Sequence, residues 1–231
     1  MVAPALRRPI TADEQRRAER CARGLVIVID DDAEILAALH ALIELEGYAC
    51  ETYASALAYL RALQDGRGRF PGPRCLLCDV KLPELDGLEL QRRLATLDDT
   101  PVLLMSGASG APEAVSAFRA GALDFLIKPL DDETLFAAVG RALAASAARQ
   151  REQARRRDLA ARLATLTERE REVARRVARG ERNQDIAAAL GIALRTVKRH
   201  RQQAMHKLGA ATLVDLVHLL DAAQGPGTQT L

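Results

Sequence analysis

The 231-residue sequence contains no apolar run approaching the roughly 20 residues that span a bilayer. Its N-terminal stretch also lacks the apolar centre of a secretion signal. A cytoplasmic protein with no membrane partner is therefore expected. Cysteine is scarce, with only Cys21, Cys50, Cys75 and Cys78. Cys75 and Cys78 have the spacing of a metal or redox pair, but side chains three positions apart on a strand point to opposite faces. They are read as core thiols, not as a disulfide or zinc framework. Net charge is nearly missing, at +2, yet it is unevenly spread. Residues 24–138 hold nineteen Asp/Glu against nine Lys/Arg, and residues 139–231 hold eighteen Lys/Arg against nine Asp/Glu. An acidic part followed by a basic part implies domains with different partners, and the basic one is the nucleic-acid candidate. The length suffices for two domains, each with its own core.

What is present from Gly24 to about Gly140 is alternation. Apolar runs predict strands at 25–29, 49–53, 75–79, 102–106 and 124–127. Amphipathic stretches near 34–46, 55–63, 86–95, 112–120 and 131–144 predict helices between and after them. Strand–helix alternation with right-handed crossovers makes a doubly wound, five-stranded parallel α/β sheet. The run Arg74 to Pro83 is central, because its strand ends on Asp79, at the edge where open α/β sheets keep their chemistry. The run Leu25–Ile29 ends on Asp30 and Asp31, so three carboxylates can converge there. Such a set calls for a hard cation, Mg²⁺. Ser106 and Lys128 end two further strands. Three carboxylates, a hydroxyl and an ammonium at four strand ends describe a site for a dianionic group plus a metal.

On these residues, 24–140 resembles the receiver domain of bacterial two-component response regulators. The matching features are the acidic pair Asp30–Asp31, Asp79 within Asp-Val-Lys-Leu-Pro, Ser106, and Gly-Ala-Leu-Asp-Phe-Leu-Ile-Lys-Pro at 121–129. The resemblance implies a flavodoxin-like sheet of order 2-1-3-4-5, a fold with which the same strand order is generally associated. It also implies that Asp79 accepts a phosphoryl group from a sensor histidine kinase. Asp30, Asp31, Asp79 and the Lys81 carbonyl would hold Mg²⁺, and Ser106 and Lys128 would bind phosphoryl oxygens. Ser106 and Phe125 would act as the switch, and Lys128-Pro129 would be a cis peptide that sets the angle of Lys128. The chemistry agrees, since a carboxylate is a competent phosphoryl acceptor and the step needs mainly positioning and charge neutralisation. No strong general base is evident, so the product should turn over slowly.

Residues 1–23 are an Arg-rich extension with a capping-box signature at Thr11–Glu14. Residues 64–74 read as an exposed loop. Residues 141–165 read as a stiff Ala/Arg-rich helical linker, 166–222 as an all-α four-helix domain, and 223–231 as a flexible tail. Thr167–Glu170 is a capping box opening a helix that Gly180 ends, and Asn183 can cap a helix over 184–190. A third helix runs 194–208 to Gly209, and Thr212 caps a fourth over 213–221. Two short helices joined by a Gly-containing turn make a helix-turn-helix. At about 100° per residue, Leu194, Val197, Ala204, Met205 and Leu208 share one arc of the third helix, and Arg195, Lys198, Arg199, Gln202 and His206 share another. Arg201 falls in the apolar arc and is expected to pair with Glu170 or Glu172.

Residues 166–220 resemble the LuxR-type DNA-binding domain. The match runs through Leu-Thr-Glu-Arg-Glu-Arg-Glu-Val at 166–173, Asn183, Leu190-Gly191-Ile192, Arg195-Thr196-Val197, His200-Arg201 and Met205 to Gly209. It implies major-groove insertion of the third helix, with Arg195, Thr196, Lys198, Arg199, Gln202 and His206 meeting double-stranded promoter DNA. Two departures stand out: Ala193 replaces the usual hydroxyl cap, and Gln184 stands where Lys is frequent. Together the two resemblances imply a response regulator of the NarL/FixJ kind, which dimerises on phosphorylation and works with RNA polymerase. It would be a DNA-binding regulator, not an enzyme beyond its own phosphoryl chemistry. The rival readings are an aspartate-dependent phosphohydrolase, which would carry Asp-x-Asp where this chain has Asp79-Val80-Lys81, and a protein-interaction regulator independent of phosphorylation.

Overall fold

A computed structural model of the chain describes residues 20, 23–66, 70–107 and 111–224. The Thr11–Glu14 capping box, Cys21, part of the 64–74 loop and residues 225–231 of the expected tail lie outside these. The chain divides into two compact units after Gln150.

The first unit alternates as the apolar runs predict. In order it contains β1 (Leu25–Ile29), α1 (Ala33–Leu45), β2 (Ala49–Tyr53), α2 (Ala56–Gln64), β3 (Arg74–Asp79), α3 (Gly87–Leu97), β4 (Val102–Ser106), α4 (Ala111–Arg119), β5 (Asp124–Ile127) and the start of α5 (Asp132–Ala164). The strands form one all-parallel sheet in the order β2-β1-β3-β4-β5. Alternate side chains enter two cores. Ile27, Ile29, Leu76, Cys78 and Leu104 pack with Tyr59 of α2 and Leu90 and Leu94 of α3. Val26, Val28, Cys75, Leu77 and Met105 pack with Leu39 and Ile43 of α1 and Leu135 and Val139 of α5. Cys75 and Cys78 thus lie on opposite faces as expected, and burial pushes both thiols up, which keeps them protonated and unreactive. Helix starts are set locally: Asp32, Ser55 and Asp86 each accept from a first-turn N–H of α1, α2 and α3.

Helix α5 continues unbroken from Asp132 to Ala164, so the segment expected at 131–144 and the helical linker are one element. Past residue 140 its side chains still hold the first unit. Ser146 Oγ accepts from Arg74 N at 3.0 Å, Arg149 donates to Asp99 O at 2.7 Å, and Gln150 donates to Gly72 O at 2.7 Å.

The second unit holds the end of α5 with α6 (Glu168–Ala178), α7 (Asn183–Leu190), α8 (Leu194–Leu208) and α9 (Leu213–Gln224). Leu166, Val173, Val177, Ile186, Val197, Ala204, Leu208 and Leu216 form its core. The Thr167–Glu170 capping box is complete, and Thr212 caps α9 by accepting from Asp215 N at 3.1 Å. Gly191 and Gly209 end α7 and α8 at φ 63° and 71°, a left-handed turn that glycine adopts without strain.

Two expectations are corrected here. Asn183 does not cap α7. Arg182 occupies the cap position without a side-chain bond, while Asn183 is the first helical residue and its Oδ1 accepts from Arg201 at 3.4 Å. Arg201 does not pair with Glu170 or Glu172. Glu170 is taken by Lys207 Nζ at 2.6 Å and by Thr167 N at 2.8 Å, and Glu172 by Arg176 at 2.8 Å, one helical turn along its own helix. Lys207 is the cation that α8 sets beside the capping box, and Arg176 reaches Glu172 without any tertiary packing.

Candidate functional site

The parallel register brings four strand ends level. Ile29 stands opposite Cys78, Asp79 opposite Met105, and Ser106 opposite Ile127. The next residues along β1 and β5, Asp30 and Lys128, therefore flank Asp79 from two sides. Carboxylate oxygens of Asp30, Asp31 and Asp79 lie within 4.8 Å of one another. Lys128 Nζ donates to Asp30 Oδ2 and to Asp79 Oδ2, both at 2.7 Å. Burial by itself would lower the Lys128 ammonium, but its bonds to the two carboxylates outweigh that and hold its pKa above the ordinary lysine value. Asp30 is buried, at 1% exposed, whereas Asp79 is half-buried and Asp31 open to solvent. Lys81 N–H donates to Asp79 Oδ1 at 3.0 Å, orienting the carboxylate from the loop side. Ser106 is fully buried at the end of β4, and its carbonyl accepts from Lys128 N at 2.8 Å. Phe125 is half-buried against the first core. The Lys128-Pro129 bond is cis, as the resemblance implied.

The donor set suits a hard divalent cation: three carboxylates close together, all oxygen donors, with one side open. Bringing an ion there offsets the mutual repulsion of the acids.

Sequence reasoning missed two residues of this edge. Gly87 begins α3 directly beneath Asp79, and a Cβ there would sit 2.4 Å from the Asp79 carbonyl oxygen. The Asp86-Gly87 dipeptide was the available signal. Glu84, in the loop after Asp79, has φ 65°, the left-handed region that disfavours a side chain.

The second unit presents a basic face. On α8, Arg195, Lys198, Arg199, Gln202 and His206 are exposed and Thr196 is half-buried, while Val197, Ala204 and Leu208 are buried on the other side. No Asp or Glu occurs in this helix. Ala193 caps it without a side-chain bond, as its methyl dictates.

A flavodoxin-like sheet with an acidic pocket and a lysine, joined to a helix-turn-helix, defines a class of phosphorylation-controlled regulators. Comparison with known proteins agrees. The family described as response regulator receiver domain matches residues 26–140, and that described as bacterial regulatory proteins, luxR family, matches 164–220. The transcriptional regulatory protein FixJ of Bradyrhizobium diazoefficiens is 36% identical over 200 residues, covering 85% of this chain and 94% of FixJ. The response regulator protein TodT of Pseudomonas putida is 33% identical over 199 residues, covering 86% of each chain. Among solved structures, the response regulator StyR superposes with a TM-score of 0.76 at 34% identity, covering 86% of this chain and 98% of StyR. This chain belongs to the NarL/FixJ family of two-component response regulators, transcription regulators that answer to a histidine kinase and bind DNA. Among the described residues no helix is long and apolar enough to cross a membrane.

Proposed function

We propose that Asp79 is the phosphoacceptor of a cytoplasmic regulator in which residues 24–140 receive the signal, 141–165 link, and 166–222 bind DNA. One carboxylate oxygen of Asp79 forms a bond to phosphorus as the bond to the kinase's histidine nitrogen breaks. That nitrogen keeps the electron pair. Asp30, Asp31, Asp79 and the Lys81 carbonyl would hold Mg²⁺, which would supply charge neutralisation for the phosphoryl oxygens. Lys128 moves its ammonium from Asp79 to a phosphoryl oxygen, Ser106 donates its hydroxyl to another, and Phe125 follows Ser106. The phosphoryl group shifts the population between resting and active conformations by making these contacts better in the active one. Reversing a 1:99 population needs about 5.5 kcal/mol of such difference. The remodelled face dimerises the chain, and two α8 helices then meet half-sites about 34 Å apart. Arg195, Thr196, Lys198, Arg199, Gln202 and His206 make the DNA contacts, and RNA polymerase is the downstream partner.

The supporting observation is the Asp79 carboxylate, 2.7 Å from Lys128 and within 4.8 Å of two further acids. The test is a gel shift on promoter DNA with a small phosphodonor and Mg²⁺. Wild type should bind more tightly after treatment and Asp79→Ala should not respond. Equal shifts by both proteins would refute the role of Asp79.

A further inference from the structure

Arg201 has no place in the contacts proposed above. Its side chain is half-buried, and its only described bond is a long one, 3.4 Å, to the neutral amide oxygen of Asn183. Glu170 and Glu172, the acids expected to pair with Arg201, are bonded to Lys207 and Arg176 instead. Among the described residues no carboxylate forms an ion pair with Arg201. A guanidinium drawn partly out of water without an anion carries a desolvation cost that one long bond to a neutral amide offsets only in part.

The same side chain lines an open cleft of about 510 Å³, together with Asn183, Lys198, Gln202, Met205 and His206. None of the lining residues is acidic. Lys198, Gln202 and His206 also belong to the exposed basic face of α8, so the cleft opens beside that face. Arginine's planar fork fits two phosphate oxygens at once, and lysine adds a point charge. What a cationic cleft without a carboxylate in its lining accepts is an anion.

We propose that this cleft is a phosphodiester subsite, in which Arg201 and Lys198 clamp one backbone phosphate of duplex DNA. The inference rests on the DNA-binding reading and adds Arg201 to it. Such a contact carries no sequence information but sets how deep and at what angle α8 enters the groove.

The test is the salt dependence of binding to a mixed-sequence duplex by the full-length chain, treated with phosphodonor and Mg²⁺. Each phosphate contact contributes about 0.9 to the slope of log K against log salt. Arg201→Met should flatten the slope by about 0.9 and weaken binding about eightfold at 0.1 M salt. Arg201→Lys should keep the wild-type slope, because the charge remains. Arg201→Gln, which retains a polar group for Asn183, should flatten the slope like Arg201→Met and serves if the latter does not fold. A wild-type slope in both neutral variants, whatever their melting temperatures, overturns the subsite, and so does a flattened slope that Arg201→Lys fails to restore. If the wild-type chain itself shows no salt-dependent duplex binding, the DNA-binding reading falls first and the subsite with it.

Discussion

Gly87→Ala tests the geometry under Asp79. The added methyl would stand 2.4 Å from the Asp79 carbonyl oxygen and 3.1 Å from Val80 Cα, both backbone atoms that cannot rotate away. Reaching ordinary contact requires a shift of about 1 Å, and overpacking of this kind costs ~1–3 kcal/mol. Gly87 N–H also donates to Val80 O at 3.0 Å, a bond that the shift stretches. Against this, alanine at a helical position gains at most about 1 kcal/mol over glycine. The steric term wins, for a net loss of about 1–2 kcal/mol and a fall in melting temperature of about 2–8 °C. Displacing the acceptor carboxylate by about 1 Å should slow its phosphorylation by around 100-fold. Gly140→Ala is the matched control. It lies within α5 with nothing near its would-be Cβ, so the same substitution there should stabilise by about 0.5–1 kcal/mol. The assay is a thermal melt of both variants, with phosphodonor labelling of Gly87→Ala followed by mass spectrometry. A Gly87→Ala protein that melts at or above the wild-type temperature and labels at the wild-type rate refutes the argument.

Relief of backbone strain gives a prediction of opposite sign: Glu84→Gly removes a left-handed conformation worth about 1–2 kcal/mol and adds about 0.4–1 kcal/mol of unfolded-state entropy. A net gain of about 0.5–1 kcal/mol should appear in denaturant unfolding, and a loss would show that the loop is not strained. In the second unit, the bond from Lys207 to the buried Glu170, aided by Thr167, holds that carboxyl below its ordinary range. Because the folded pKa is the lower one, this stabilisation is present above about pH 4.5 and is lost as pH falls through the depressed value. Glu170→Gln should cost about 1–3 kcal/mol near neutral pH, and the gap to wild type should close in acid melts. A gap that stays constant with pH would mean the charge contributes nothing.

Much of the first unit was legible because its signals are local. Leu25–Ile29 and Val102–Ser106 are short apolar runs that end on polar residues, and their alternation with helix-period segments marks them as buried parallel strands. Once the strands are parallel, Asp30, Asp79, Ser106 and Lys128 must share one edge, so the acidic pocket follows from pattern and topology together. Capping by Thr167 and Thr212 was equally readable, since those bonds close within three or four residues. Arg201 was legible as an anomaly, a cation in an apolar arc, but not in its partner.

The amino-acid order by itself therefore determined the elements, their sequence along the chain, and the identity of the charged groups at the strand ends. The tertiary structure alone decided which cation meets which anion: Lys128 bridging Asp30 and Asp79, Lys207 on Glu170, and Arg201 left to a neutral amide. It also decided that Gly87 must lie against the Asp79 backbone and that α5 runs on to Ala164 while its Ser146 and Gln150 still grip the first unit. The reason is range. Propensity, capping and periodicity act over one turn or one strand, whereas pairing distances depend on how whole elements are set against each other, to within an ångström.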